Sequence, residues 1–231
     1  MKKIIAHFQS KIQIWPAAIY FVLYMYGFRL LEQVNRSLRL VTVIHTPIDD
    51  RIPFVPAFSL FYLSWFPFMI LVYLYFAFIN KNVEEYNRLI FALGAGMTVF
   101  LIISALWPNG LQIRSGYILE PGFFTDLIRL IWRTDTPTNV FPSIHVYNSV
   151  IAGLAVRKCR RLSSNKWLQI IALVWVILIC ASTLLIRQHS LIDASAGLLM
   201  ALGVYYLVYI RDVIVRGTEC SVHERSHASD C

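Results

Sequence analysis

Charge is scarce in this sequence. Asp, Glu, Lys and Arg make up 15% of its 231 residues, against about a quarter in an ordinary soluble domain. Cysteine is scarce too: the four present, Cys159, Cys180, Cys220 and Cys231, fall inside an apolar run or on the side expected to face the cytoplasm, so a disulfide framework is not expected. There is no internal repeat and no low-complexity linker. No small-residue cleavage site follows the first apolar run, so that run reads as an uncleaved anchor and not as a signal peptide. What is abundant is apolar surface, with 58% of residues hydrophobic and 14% aromatic. One soluble core of this length could not hide that much. A soluble enzyme, a disordered tail and a nucleic-acid module are therefore excluded, and a single multi-pass membrane domain is expected.

A span needs about 20 mainly apolar residues. Six stretches qualify: Trp15–Leu31, Ala57–Ile79, Leu89–Trp107, Ser143–Val156, Trp167–Ile186 and Leu191–Ile210. The fold class expected is all-α, a six-transmembrane-helix bundle. The fourth stretch is short and carries Ser143, His145 and Asn148, so hydropathy ranks it last. Orientation follows from the basic residues near span ends. With the N-terminus inside, the inner segments hold 13 of the 21 basic residues against six acidic ones, a balance of +7, and the outer segments come to +1. Both termini are expected in the cytoplasm, with residues 217–231 a polar, flexible tail. His223 and His227 in that tail are four apart and could bind metal on a helix, but a solvated tail is the expectation.

Ionisable groups at membrane depth mark functional sites by default. Three segments on the outer side collect them: Leu106–Ser115, Thr138–Ser149 and Ser182–Gly197. Span four descends and span five returns, so His145 and His189 share a membrane face, and Arg114 leaves span three on that face. His189 and Asp193 are spaced i, i+4, which on a helix sets them on one face. A carboxylate there can accept one ring N–H and leave the other nitrogen's lone pair free for nucleophilic or base chemistry; a buried pair that only ties spans together has the same spacing. Pro142 suits the first helical position, where free N–H groups attract anions. Ser143 adds a hydroxyl, and His145 in the same turn can donate a proton. The alternative is an ordinary capped helix start. Pro108, Asn109 and Gly110 read as a turn delivering Arg114, a natural phosphate clamp, or else an interfacial arginine among headgroups.

Together these segments resemble the type 2 phosphatidic acid phosphatase (PAP2) superfamily. Its hallmarks are a Lys and Arg-Pro motif, a Pro-Ser-Gly-His motif, and Ser-Arg, five residues, His, three residues, Asp. Here the last reads Ser182-Thr183, LLIRQ, His189, SLI, Asp193, and the middle reads Pro142-Ser143-Ile144-His145. The motifs fall within roughly residues 100–200, and the catalytic core is expected over about 89–210. The resemblance implies a metal-free phosphoryl transfer through a phosphohistidine, with no cofactor. His189 would attack phosphorus, Asp193 orient it, and His145 protonate the leaving alcohol. Arg114, Ser143 and the backbone N–H near Ile144 would hold the phosphate. Trp107 stands where the motif lysine falls, Ser115 where the proline falls, and Thr183 where the arginine before the nucleophile falls. Arg187, one turn beyond Thr183, is expected to share its face and supply the missing charge. Ile144 in place of glycine is similar to the branch containing inositol-phosphorylceramide synthases, which transfer a phosphorylated headgroup between lipids.

The expected function is hydrolysis of a lipid phosphate or diphosphate at the outer face of the cell membrane. Lipid phosphotransfer shares the first half-reaction and stays open. A hydrolase using His145, His189 and Asp193 as zinc ligands and a transporter or scaffold that kept the motifs are further readings. Against transport, no paired Gly/Pro-broken spans occupy matching positions in two halves. The partners expected are a phosphorylated lipid and the membrane, with no nucleic acid. Two histidines imply an acid–base pH profile. Two segments complete the reading. HTPIDDRIPF, with His45, Asp49 and Asp50, is a polar loop fastened by Pro47, Pro53 and Pro56, or a second metal site. PGFFTDLIRLIW, within 121–133, reads as a short amphipathic helix on the membrane.

Overall fold

The computed structural model describes residues 14–37, 41–114 and 120–211. The N-terminal lysines, Ser115, Cys220, Cys231 and the tail with His223 and His227 lie outside the described residues. The described residues form seven longer helical segments: α1 Ile14–Ser37, α2 Pro56–Ile79, α3 Val83–Leu106, α4 Phe123–Thr134, α5 Ile144–Lys158, α6 Lys166–Leu185 and α7 Leu191–Arg211. A two-residue strand, β1 Thr42–Val43, pairs parallel with β2 Asn109–Gly110, so the described residues are mostly but not wholly helical. Asn109 and Gly110 are thus a strand, where the sequence had implied a turn.

Local signals account for the helix starts. Asn82 accepts from the N–H groups of Glu84 and Glu85 at the start of α3, Asn165 caps α6 through Leu168, and Ser190 caps α7 through Ile192. Such caps satisfy N–H groups that have no partner within the helix. The two acidic residues in the first turn of α3, and Arg157 and Lys158 in the last turn of α5, complement the helix dipoles.

Helices α2, α3, α6 and α7 are long and apolar enough to cross a membrane. Each turns large apolar side chains outward: Leu71 is 66% exposed, Phe91 66%, Ile171 58% and Leu199 69%. Exposure on that scale all round a bundle suits a lipid solvent and not water. Helices α1 and α5 stand where the first and fourth spans are expected. With 15 residues, α5 rises about 22 Å, short of the roughly 30 Å hydrocarbon core. Its place explains its composition. It runs through the middle of the bundle, where Val146, Tyr147, Asn148, Ser149, Ile151 and Ala152 are all buried. A helix sheathed by other helices need not be apolar to sit at membrane depth. Tyr147 fills the core against Gly96 of α3, where a Cβ would come 2.0 Å from the ring, and donates to Ala92 O at 2.5 Å.

Contacts give the helix directions. Tyr20 reaches Gly94 O and Asn35 reaches Ser104 O, so α1 runs parallel to α3. Ser143 N donates to Asp193 O at the starts of α5 and α7, which also run parallel. Val55 N meets Leu185 O, so α2 begins where α6 ends. The basic residues 157–166 thus lie at one end of the bundle and the three polar segments at the other. Exposed Trp15, Trp167 and Tyr206 ring the first end, and Trp107 and Phe123 the second, as membrane-interface aromatics do.

At the polar end, Asp49 is the fastener. Its carboxylate accepts from Thr46 N, Thr46 Oγ1 and Ser190 Oγ and from Leu191 N, all at 2.7–2.8 Å. The loop expected to rest on its prolines is therefore tied to the start of α7 by an acid, while His45 and Asp50 form only an exposed pair at 2.9 Å. Burial pushes the Asp49 carboxyl up, but hydrogen bonds from Leu191, Ser190 and Thr46 outweigh it and hold it below the usual carboxylate range. A depressed folded value means stability that is present above the unfolded value near 3.9 and lost as pH falls through the folded one. Asp49→Asn is therefore expected to destabilise by about 1–3 kcal/mol at neutral pH in detergent thermal melts. The gap should close only below about pH 4, and a gap that instead widened on acidification would contradict this account.

Candidate active site

Helix α6 stops at Leu185, and the chain turns back tightly. Thr183 O accepts from both Gln188 N and His189 N, at 3.0 and 2.9 Å, and Arg187 takes a left-handed φ of 61°. Ser190 then caps α7. His189 is thus held in a rigid corner just outside the helix that carries Asp193, not on one helix face with it. The expected contact is there all the same. His189 Nδ1 lies 2.7 Å from Asp193 Oδ2, with Asp193 fully buried. Asp193 Oδ1 accepts from Ala194 N at 3.1 Å. A carboxylate accepting at Nδ1 leaves the His189 Nε2 lone pair facing away, and there His145 Nδ1 stands at 3.3 Å.

The second segment arrives through the β1–β2 corner. Asn109, fully buried, accepts at Oδ1 from Val140 N and Phe141 N, both at 2.9 Å. Ile44, Leu111, Ile113 and Val140 form a small apolar cluster beneath. Pro142 is not the first helical residue. It precedes Ser143, which is the N-cap, with Oγ 3.4 Å from Val146 N. His145 is then the second residue of α5, flanked by the rings of Trp65 and Tyr62 at 4.6 and 4.7 Å. The side chain of Ile144 is half-buried against the α1–α3 cluster, which leaves its backbone N–H among the first, unpaired donors of the helix.

Arg114 follows that apolar cluster into the site. Nε donates to Arg187 O and Nη1 to Asp135 O, each at 3.0 Å, while Nη2 bonds Gln188 Oε1. The guanidinium stands 5.7 Å over the Trp132 ring. Burial pushes it down from its ordinary value, while the Asp135 carboxylate and Tyr62 act the other way.

The structure thus brings His145, His189, Asp193 and Ser143 together, with Arg114 joined to them through Asp135 and Gln188. Two expected phosphate ligands point elsewhere. Because α6 ends before Arg187, the one-turn face-sharing with Thr183 does not hold. The Arg187 guanidinium is buried and donates to Asp49 O at 2.6 Å and Ile52 O at 2.8 Å. The Thr183 hydroxyl, fully buried, donates to Cys180 O at 2.7 Å. Three neighbours had no sequence signal. Tyr62 OH is 3.1 Å from His145 Nε2 and bonds the Asp135 carboxylate, and Gln188 Nε2 donates to that same oxygen at 3.1 Å. Among the described residues no group of three His, Cys, Asp or Glu side chains is arranged to hold a metal ion; Asp193 stands behind His189 and not beside its free nitrogen. Helix α4, the expected amphipathic helix, packs Ile128 and Ile131 against Tyr62 and Ile186 and ends where Asp135 enters the site.

The family model described as the PAP2 superfamily matches residues 116–213, somewhat less than half of the chain. That stretch holds His145, His189 and Asp193 and leaves out Arg114 and Tyr62. Neither the comparison with curated proteins nor that with solved structures found a match.

Proposed function

We propose that this chain is an integral membrane phosphatase for lipid phosphates or diphosphates, working through a phosphohistidine on His189. The match to the PAP2 superfamily model supports the reaction class. The observation that carries the reading is the line Asp193–His189–His145, at 2.7 and 3.3 Å. In the first step the His189 Nε2 lone pair forms a bond to phosphorus. The bond to the leaving oxygen breaks, and His145 supplies the proton that oxygen needs. Asp193 balances the charge that appears on His189. In the second step water attacks phosphorus, His145 takes its proton, and the P–N bond breaks to return both histidines to their starting state. Arg114, Ser143 and the first N–H groups of α5 hold the equatorial oxygens, and fixed donors of this kind supply most of the stabilisation in phosphoryl transfer. Six spans with both termini in the cytoplasm put this site at the extracytoplasmic face, which accords with the basic residues collected at the opposite end.

A second reading, lipid phosphotransfer, is favoured by one observation. Among the described residues, Arg114 is the cation brought beside the Asp135 carboxylate, while Trp107 and Thr183 occupy two positions where the resembled motifs carry charge and Arg187 donates to Asp49 O and Ile52 O. So sparse a positive field suits a singly charged phosphodiester better than a doubly charged monoester. The test is phosphorus release and transfer from a panel of lipid mono- and diesters in detergent, with EDTA present and with and without a lipid alcohol. Wild type is expected to release phosphate, and His189→Ala to lose on the order of 10⁴-fold or more. Full activity in His189→Ala, or abolition by EDTA alone, defeats the proposal. Turnover that appears only with the lipid alcohol favours the transferase.

A further inference from the structure

His145 is held from two sides. One is His189, at 3.3 Å. A phosphoryl group on His189 Nε2 occupies the space that contact fills, so, on the phosphohistidine reading above, substrate removes that support at the moment a proton must be delivered. What remains comes from two other elements. Tyr62 of α2 places its hydroxyl 3.1 Å from His145 Nε2 and 3.4 Å from Nδ1. Asp135, just past α4, accepts from Tyr62 and stands 4.0 Å from His145 Nε2. Trp65 closes on the ring at 4.6 Å. Asp135 is fixed in turn: Gln188 donates to its carboxylate, and Arg114 donates to its backbone carbonyl. The charged and titratable groups about His145 are thus His189 from the α6–α7 corner, Tyr62 from α2, Asp135 after α4, and Arg114 behind Asp135. A carboxylate ends the chain on each side, Asp193 behind His189 and Asp135 behind Tyr62 and His145.

We infer that Tyr62 and Asp135 are positioning residues for His145, holding its ring and its proton toward the leaving oxygen once phosphate has replaced the contact with His189. Asp193 serves the nucleophile, and the Tyr62–Asp135 pair serves the acid. A residue that acts through proton donation matters in proportion to how badly the leaving group needs a proton. A nitrophenolate leaves without one, whereas an alkoxide does not.

The experiment compares nitrophenyl and alkyl esters of phosphate, each as monoester and diester, with wild type, Asp135→Asn, Tyr62→Phe and His145→Ala. Asp135→Asn is expected to slow alkyl ester cleavage by about 10²-fold while slowing nitrophenyl ester cleavage by less than about 10-fold. Tyr62→Phe should show a smaller change in the same direction, and His145→Ala a larger one. With the nitrophenyl ester, Asp135→Asn should still trap label on His189 after an acid-free quench. Equal losses on both esters, no loss on either, or absence of trapped label would overturn the inference, since the damage would then lie in folding or at the nucleophile. A wild type inert toward every ester both with and without a lipid alcohol overturns the phosphoryl-transfer reading itself, and this inference with it.

Discussion

Asp193→Asn is expected to lower turnover by about 10³- to 10⁴-fold with the melting transition little changed. The two carboxylate oxygens have different duties. Oδ2 accepts from His189 Nδ1 at 2.7 Å and Oδ1 accepts from Ala194 N at 3.1 Å. Asparagine keeps the shape but has one acceptor and one donor. With its NH2 toward His189, the ring must present a lone pair at Nδ1 and carry its proton on Nε2, so the nucleophilic position is blocked. With the amide flipped, the NH2 meets the Ala194 N–H, and two donors face each other in a fully buried site. Either arrangement disables the attack or strains the helix start. Turnover and trapped phosphoenzyme should fall together, and an Asn variant that turns over like wild type would show that His189 does not depend on Asp193 for its tautomer.

Gly197→Ala should be nearly as damaging although it touches no reacting atom. Gly197 lies one turn beyond Asp193 on α7, and a Cβ there would come 2.4 Å from Ser143 O, 3.2 Å from Ser143 C and 3.3 Å from Ser143 N. Backbone cannot step aside as a flexible side chain can, so α7 has to move away from the start of α5. That junction also holds the 2.9 Å bond from Ser143 N to Asp193 O, and the two histidines sit on either side of it. A displacement near 1 Å in a catalytic pair costs about 10²-fold, and that is the loss expected here. Gly203→Ala, on the same helix with nothing within 4 Å of its Cβ, is the control. It should keep wild-type turnover and gain a few tenths to 1 kcal/mol in stability from better helix propensity. Equal rates for the two variants would mean that the close approach at Gly197 has no bearing on the site.

The contrast between these residues and Arg187 shows what can be read from spacing. Apolar runs marked α2, α6 and α7 to within a residue at each end and α3 at its far end, because a lipid-facing helix must be apolar over its membrane length; α3 starts six residues earlier, at Val83, with a polar first turn. His145, His189 and Asp193 were legible because alternating spans return distant segments to the same end. Arg187 was misplaced by the same arithmetic: helix periodicity was carried two residues past Leu185, into a corner where Arg187 has a φ of 61° and its side chain points at another loop. Tyr62 and Asp135 stand in no motif or periodic pattern. Each is a lone polar residue brought in by a different element, and one of 12 tyrosines in an apolar run carries no period that marks it. Amphipathic α4 could have hinted at Asp135, since a helix that packs one face on the bundle delivers whatever follows its last turn to the same place.

The Asp49 fastening also bears on when the polar end can assemble during synthesis. Ser190 and Asp49 are 141 residues apart, Arg187 and Asp49 138, and Asn35 and Asn139 104. None of these ties can close early, and α7 supplies both Asp193 and the glycine that seats it on α5. A chain that stops between residues 189 and 193 therefore carries both histidines without the carboxylate that His189 Nδ1 meets. The polar end is therefore among the late parts of the bundle to close.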